Sequence, residues 1–249
     1  MFWRFGGYAN ISTIDTLLDK PDVTLEELLN EPELISELSQ HNTKLIEFLR
    51  EDHILKRLME YVIAPPLFEE NEFEEEEEED QKKAPAGKSG STDTAGEPPE
   101  EILKPEDKEK AEEQRSTYAY VACEILSSET WSIIESILLN QDDLRNFWSF
   151  VRRPAPLNSR QSGYFTKVNE VLFEKKTKQM LDFFKSLDGI VPAILQHVDN
   201  PMIMDLLLKI ITLEKVEGGQ GIVDVSFLDI VHVRLLTPWI AVAEEGVSD

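Results

Sequence analysis

Ile54, Leu58 and Val62 recur at every fourth residue of this chain, and Leu55, Met59 and Ile63 recur beside them. Side chains spaced by three or four residues share one side of an α-helix, so the segment is committed to a helix with a buried stripe. The same spacing returns at Leu34, Ile35 and Leu38, and again at Leu45, Ile46 and Leu49. Further on it marks Tyr118, Val121, Ile125 and Leu126, then Trp131, Ile134, Ile137 and Leu138, then Leu144, Phe147, Trp148 and Val151. Phe165, Val168, Val171 and Leu172 predict another helix, Met180 to Leu187 one more, and Ile194, Leu195 and Val198 a shorter one. Before residue 220 no alternation of apolar and polar residues competes with this pattern. The predicted fold class is all-α.

Starts and stops are written between the stripes. Thr24 and Glu27 form a T-x-x-E capping box ahead of Leu28 and Leu29, and Ser12 with Asp15 forms a similar pair ahead of Ile14. Pro32 suits the first turn of a helix, and Asn200 with Pro201 gives a cap and a first helical position. The helix that follows, MIMDLLLKIITL, is apolar around most of its circumference and is expected to be covered on several sides. Pro65, Pro66, Pro154 and Pro156 break the chain. Short helices in series suggest an armadillo- or HEAT-like stack of helix pairs, with a compact bundle as the second architecture. No strict repeat period is present, so any repeats have diverged.

One stretch has no such pattern. Residues 69–113 hold 19 acidic and six basic residues, about half of the chain's net charge of −24. Apolar side chains are too sparse there to offset the entropy of ordering, and the expectation is a disordered acidic insert over 67–115. It reads as a solvated insert, with a regulatory or interaction tail as the second reading. Thr94 with Glu97 would suit an acidophilic kinase. The segments on either side, 1–66 and 116–224, belong to one helical scaffold, and 225–249 is set apart as an atypical tail.

The charge balance also excludes function classes. A chain of pI about 4.5 offers no basic patch for nucleic-acid phosphates or for an anionic membrane. No run of apolar residues is long enough to span a bilayer. Arg4 is followed by no apolar core of a signal peptide, so the expected address is the cytoplasm, with the nucleus second. Cys123 is the single cysteine, excludes an internal disulfide, and lies on an apolar stripe as a small core residue. The histidines His41, His53, His197 and His232 lack metal-ligand spacing. Gly218, Gly219 and Gly221 follow a helix, not a strand, and read as a loop without a phosphate cradle. No nucleophile, general-base or metal motif is found, so no enzyme activity, cofactor or metal is expected.

Several long words carry a family resemblance. MFWRF, IDTLLDKPDVTLEELL and HNTKLIEFLREDHILKRLMEYV open the chain. After the insert come YAYVACEILSSETWSIIESIL, LRNFWSFVRRPAPLNSRQSGYFTKVNEVLF and IVPAILQHVDNPMIMDLLLKIITLE. Together they resemble the SAPS-domain family, regulatory subunits of the type-6 Ser/Thr protein phosphatase. The resemblance covers Met1 to Asp224 apart from the insert. It implies an armadillo-like fold, no catalysis of its own, and binding to the phosphatase catalytic subunit, which carries the metal ions. It also implies roles in cell-cycle progression and nutrient signalling. After GIVD the chain departs from the family pattern. The expectation there is a gene model reading into an intron, which would leave a truncated domain with an open apolar face. A general helical adaptor and a non-functional truncated product are the alternative functions.

No residue pattern locates the partner surface. Phe2, Trp3, Arg4 and Phe5 are aromatic and basic, the side chains most used as interface anchors, though packing on the first helices explains them as well. Asn42, Lys44 and Arg50 lie beside an apolar stripe and could line a groove; Arg152 and Arg153 could meet an acidic surface. Plain solvated surface is the bland reading of all five.

Overall fold

A computed structural model describes residues 12–67 and 105–220. Phe2, Trp3, Arg4 and Phe5, the heart of the acidic insert with Thr94 and Glu97, Gly221, His232 and the tail from 225 lie outside the described residues. What is described is helical throughout. Five helices come first: α1 (Thr13–Leu18), α2 (Leu25–Leu29), α3 (Leu34–Ser39), α4 (Thr43–Leu49) and α5 (Asp52–Ile63). Seven follow: α6 (Pro105–Leu126), α7 (Trp131–Leu139), α8 (Gln141–Trp148), α9 (Ser159–Lys175), α10 (Thr177–Lys185), α11 (Ile190–Leu195) and α12 (Pro201–Thr212). Short 3-10 turns extend α8 over Ser149–Arg152 and α12 over Leu213–Lys215. The backbone forms two units, one of Met1–Ala64 with Tyr118–Asp249 and one of Pro65–Thr117. Helix lengths from five to 22 residues show no constant repeat among the described residues.

In the smaller unit, α6 begins at Pro105, inside the segment expected to be disordered. Acidity misled the reading there. Residues 108–115 read KEKAEEQR, all strong helix formers, so high charge coexists with helix propensity. Proline at the first helical position loses no intrahelical bond. Arg115 donates through Nε to both carboxylate oxygens of Glu112, at 3.0 and 2.9 Å, and Glu112 also accepts the Leu67 amide at 2.9 Å.

In the larger unit, the caps decide where the short helices begin. Thr24 Oγ1 accepts the Glu27 amide at 3.3 Å and the Glu27 carboxylate accepts the Thr24 amide at 3.4 Å, the reciprocal box expected. Ser12 precedes α1, but its side chain makes no cap bond. Its Oγ is buried without a partner among the described residues, so the Ser12 box is not formed. Pro32 precedes α3 by one turn's entry and is not inside it. Asn200 Oδ1 accepts the Met202 and Ile203 amides, and its Nδ2 donates to Ser162 Oγ at 2.9 Å, fastening the start of α12 to α9.

The core changes character along the chain. From α1 to α4 it is aliphatic: Ile14, Leu25, Leu28, Leu29, Leu34, Leu38, Leu45 and Leu49 are all buried. From α8 onward it is built of rings. Trp148 meets Phe165, Phe173 and Phe184 edge to face, with centroids 5.2, 6.3 and 5.5 Å away. Phe147 and Phe150 close on Phe165 at 5.0 and 5.1 Å. Edge-to-face rings add favourable electrostatics to their buried area.

Four of the expected core positions lie outside it. Trp131, Val198, Met202 and Leu208 are exposed. Trp131 opens α7 and Val198 lies past the end of α11, so neither has a turn of helix over it. In α12, Ile203, Leu206, Leu207 and Ile210 are buried, while Leu208 is exposed. Cys123 is fully buried, and desolvation pushes its thiol up to about 12.

Candidate functional site

Asn42, Lys44 and Arg50 belong to α4 and its two ends, and the structure gives them different tasks. Asn42 is the α4 cap. Its Oδ1 accepts the Leu45 amide at 3.2 Å, while Nδ2 donates to Asp15 at 2.9 Å and to Glu37 at 3.0 Å. With both Nδ2 protons engaged it ties α1, α3 and α4 together and has no donor left for a partner. The signal was present in the sequence: an asparagine three residues before a buried leucine is an N-cap pattern.

Lys44 and Arg50 do face outward, around one surface depression. It is lined by Leu18 and Asp19 at the end of α1 and by Thr43, Lys44, Glu47, Phe48, Arg50 and Glu51, with a volume of about 760 Å³. Lys44 donates to Asp19 at 2.8 Å across the depression, and this carboxylate holds the ammonium above the ordinary lysine range. Arg50 pairs with Glu47 at 3.2 Å, one turn back. Leu18 and Phe48, both half-buried, form an apolar floor. Lys44, Glu47, Phe48 and Glu51 recur at i, i+3, i+4 and i+7, so their common side was readable from spacing although the role of Phe48 was not singled out. Both ion pairs are open to solvent, where such pairs contribute little to stability and exchange readily for others.

Arg152 and Arg153 lie elsewhere and part company. Arg152 is exposed and donates to the Asp188 carbonyl at 2.5 Å. Arg153 reaches back across 90 residues of sequence to the Ile63 carbonyl at 2.6 Å, with its guanidinium 5.2 Å from the centre of the Phe150 ring. Burial lowers its pKa. Beside it, Gln161 Nε2 donates to the Ala64 carbonyl. Orphan carbonyls at the end of α5 are thereby satisfied by side chains distant in sequence. Arg153 is a fastener of the fold and not an open contact, and no local pattern announced it.

No group of three or more His, Cys, Asp or Glu among the described residues could hold a metal ion. Of the histidines, His41 and His53 are exposed, and buried His197 bonds through Nε2 to the Val151 carbonyl at 2.9 Å. No described helix is long and apolar enough to cross a membrane. The α1–α4 surface carries a shallow apolar floor ringed by paired charges of both signs.

Residues 169–237 match the family described as SAPS, SIT4 phosphatase-associated protein. The match runs past Asp224 into the segment expected to depart from that family. The extragenic suppressor of kinetochore protein 1 of Schizosaccharomyces pombe is 35% identical over 248 residues, covering 96% of this chain and 26% of that protein. The SIT4-associating protein SAP190 of Saccharomyces cerevisiae is 33% identical, covering 81% of this chain and 22% of its own. Serine/threonine-protein phosphatase 6 regulatory subunit 3 of Gallus gallus is 30% identical, covering 85% and 20%. The chain therefore spans about a quarter or less of the length of these relatives. No solved structure matches it.

Proposed function

We propose, from the premise that the chain belongs to the SAPS family, that it binds the catalytic subunit of a type-6 Ser/Thr protein phosphatase as a non-catalytic regulatory subunit. The observation that carries this reading is the similarity to relatives named for phosphatase association and regulation, which covers 81% and 85% of the chain. The helical scaffold suits the task, since a series of packed helices presents an extended surface without supplying chemistry. Modulation or targeting of the phosphatase in cell-cycle and nutrient signalling, in the cytoplasm and nucleus, belongs to the same proposal.

Within it, Lys44 and Arg50 are the first contacts to test, because both are exposed at a depression with an apolar floor. Arg152 is the next, and Phe2, Trp3, Arg4 and Phe5 stay in the proposal on their chemistry alone. Purified chain is mixed with purified type-6 catalytic subunit and passed over a sizing column. Co-elution, with phosphopeptide hydrolysis changed in rate and no hydrolysis by the chain alone, is the expected result. Separate elution at micromolar concentrations would overturn the proposal.

A further inference from the structure

The α1–α4 depression has an apolar floor in an acidic setting. Leu18 and Phe48 are half-buried at its base, and Asp19, Glu47 and Glu51 stand on its edge with Lys44 and Arg50. Both cations are taken, Lys44 by Asp19 and Arg50 by Glu47. Glu51 has no Lys or Arg partner among the described residues and lies 3.6 Å from His53. The surroundings do not reverse that sign. Lys20 and Lys56 are exposed nearby in sequence, and Arg57 pairs with Glu26 and Glu60. With all of these counted, residues 12–64 hold 12 acidic and five basic residues. Such a surface attracts a cation carried on an apolar body.

The chain itself supplies one. Residues 1–11, MFWRFGGYANI, carry four aromatic side chains and Arg4, with no carboxylate. They lead directly into Ser12 and α1, and the far end of α1, at Leu18 and Asp19, is an edge of the depression. A six-residue helix is about 9 Å long, whereas residues 2–11 can span roughly 33 Å. Gly6 and Gly7, between the aromatic residues and α1, carry no side chain that would resist a reversal of the chain. A segment tethered this closely acts at about millimolar effective concentration, above that of any dilute partner.

We propose that Phe2, Trp3, Arg4 and Phe5 dock in cis on the α1–α4 depression, with the rings on Leu18 and Phe48 and Arg4 at Glu47 and Glu51. The rings then leave water, and the guanidinium meets the carboxylate that has no cation of its own. The inference does not rest on the phosphatase reading, because no phosphatase enters its test. A partner seated on the same floor has to displace the segment, so the segment weakens whatever else binds there by the fraction of time it is docked.

The full chain is prepared with p-benzoylphenylalanine replacing Trp3, which keeps an aromatic side chain at that position. It is illuminated at submicromolar concentration, and the adducts are mapped by peptide mass spectrometry. The expected adducts form within one chain and lie on the peptides that carry Leu18 and Phe48. Arg4→Glu lowers their yield about fivefold, and so does Glu47→Lys combined with Glu51→Lys, the size expected for one exposed charge pair. The three changes together restore the yield, a rescue that loss of folding could not produce. Asp182→Lys, on α10, leaves the yield unchanged. Absence of adducts, adducts elsewhere on the chain, adducts between two chains, or charge variants without effect would each overturn the proposal.

Discussion

The helices before residue 64 and those after residue 118 solve the same problem with different means. The first four are five to seven residues long, too short to be stable by propensity alone. They hold through fully buried leucines and through polar caps such as Thr24 and Asn42. The later helices include one of 17 residues, α9, and close around Trp148 and its neighbouring rings. Short elements thus depend on their ends, and long ones on their middles. A surface carried by the first group, like the Lys44 depression, rests on capping.

The sharpest test of that contrast is Trp148→Ala. Removing a fully buried indole should cost about 3–5 kcal/mol, read as a lower urea midpoint. A drop as small as that of an exposed substitution would show that the rings are not what holds the second region. Next comes Leu28→Ala, which should cost about 2–5 kcal/mol in the first region by the same cavity argument. The caps follow. Asn42→Ala and Asn200→Ala each remove an N-cap and should cost about 1–2 kcal/mol. If the first region does depend on its ends, Asn42→Ala should also increase amide exchange through α1 and α3, whereas Asn200→Ala should leave α9 protected.

The smallest effect concerns pH. The Tyr61 hydroxyl bonds to Glu26 at 2.5 Å and is the largest cause holding that carboxyl below its ordinary value of 4.5. A carboxyl lowered in the folded state stabilises the fold above its unfolded value, and the contribution is lost as pH falls through the lowered one. Tyr61→Phe should therefore lower stability at neutral pH and change it less at acid pH, which flattens the acid limb of the stability curve. An identical acid limb in parent and variant would remove Glu26 from the account. Cys123 offers a check on the second region: with its thiol at about 12, it should resist iodoacetamide at pH 8 until the chain unfolds.

Local patterns in the sequence revealed the helices well and their surroundings poorly. The Thr24 box and the Asn200–Pro201 start depend on neighbours within four residues, and both form as read. The Ser12 pair has the same spelling, yet Ser12 Oγ makes no cap bond. Periodicity placed Trp131 with Ile134 and Ile137, but it cannot say whether another helix lies over a given side. The same blindness hid the uncovered Leu208. Of the candidate contacts, Lys44 and Arg50 line one depression. Asn42 and Arg153 were misread for opposite reasons. The cap pattern at Asn42 was visible and passed over, whereas Arg153 bonds to a carbonyl 90 residues away, which no window of sequence contains.

Two tryptophans of the described chain stand in opposite settings, and light can tell them apart. Trp148, ringed by phenylalanines in a fixed asymmetric cage, should give a strong near-ultraviolet dichroism band and a blue-shifted emission. Trp131, in water beside a lysine, should emit to the red and be quenched by iodide. With Trp3 and Trp239 replaced by phenylalanine, the described residues thus carry one optical reporter of the interior and another of the surface.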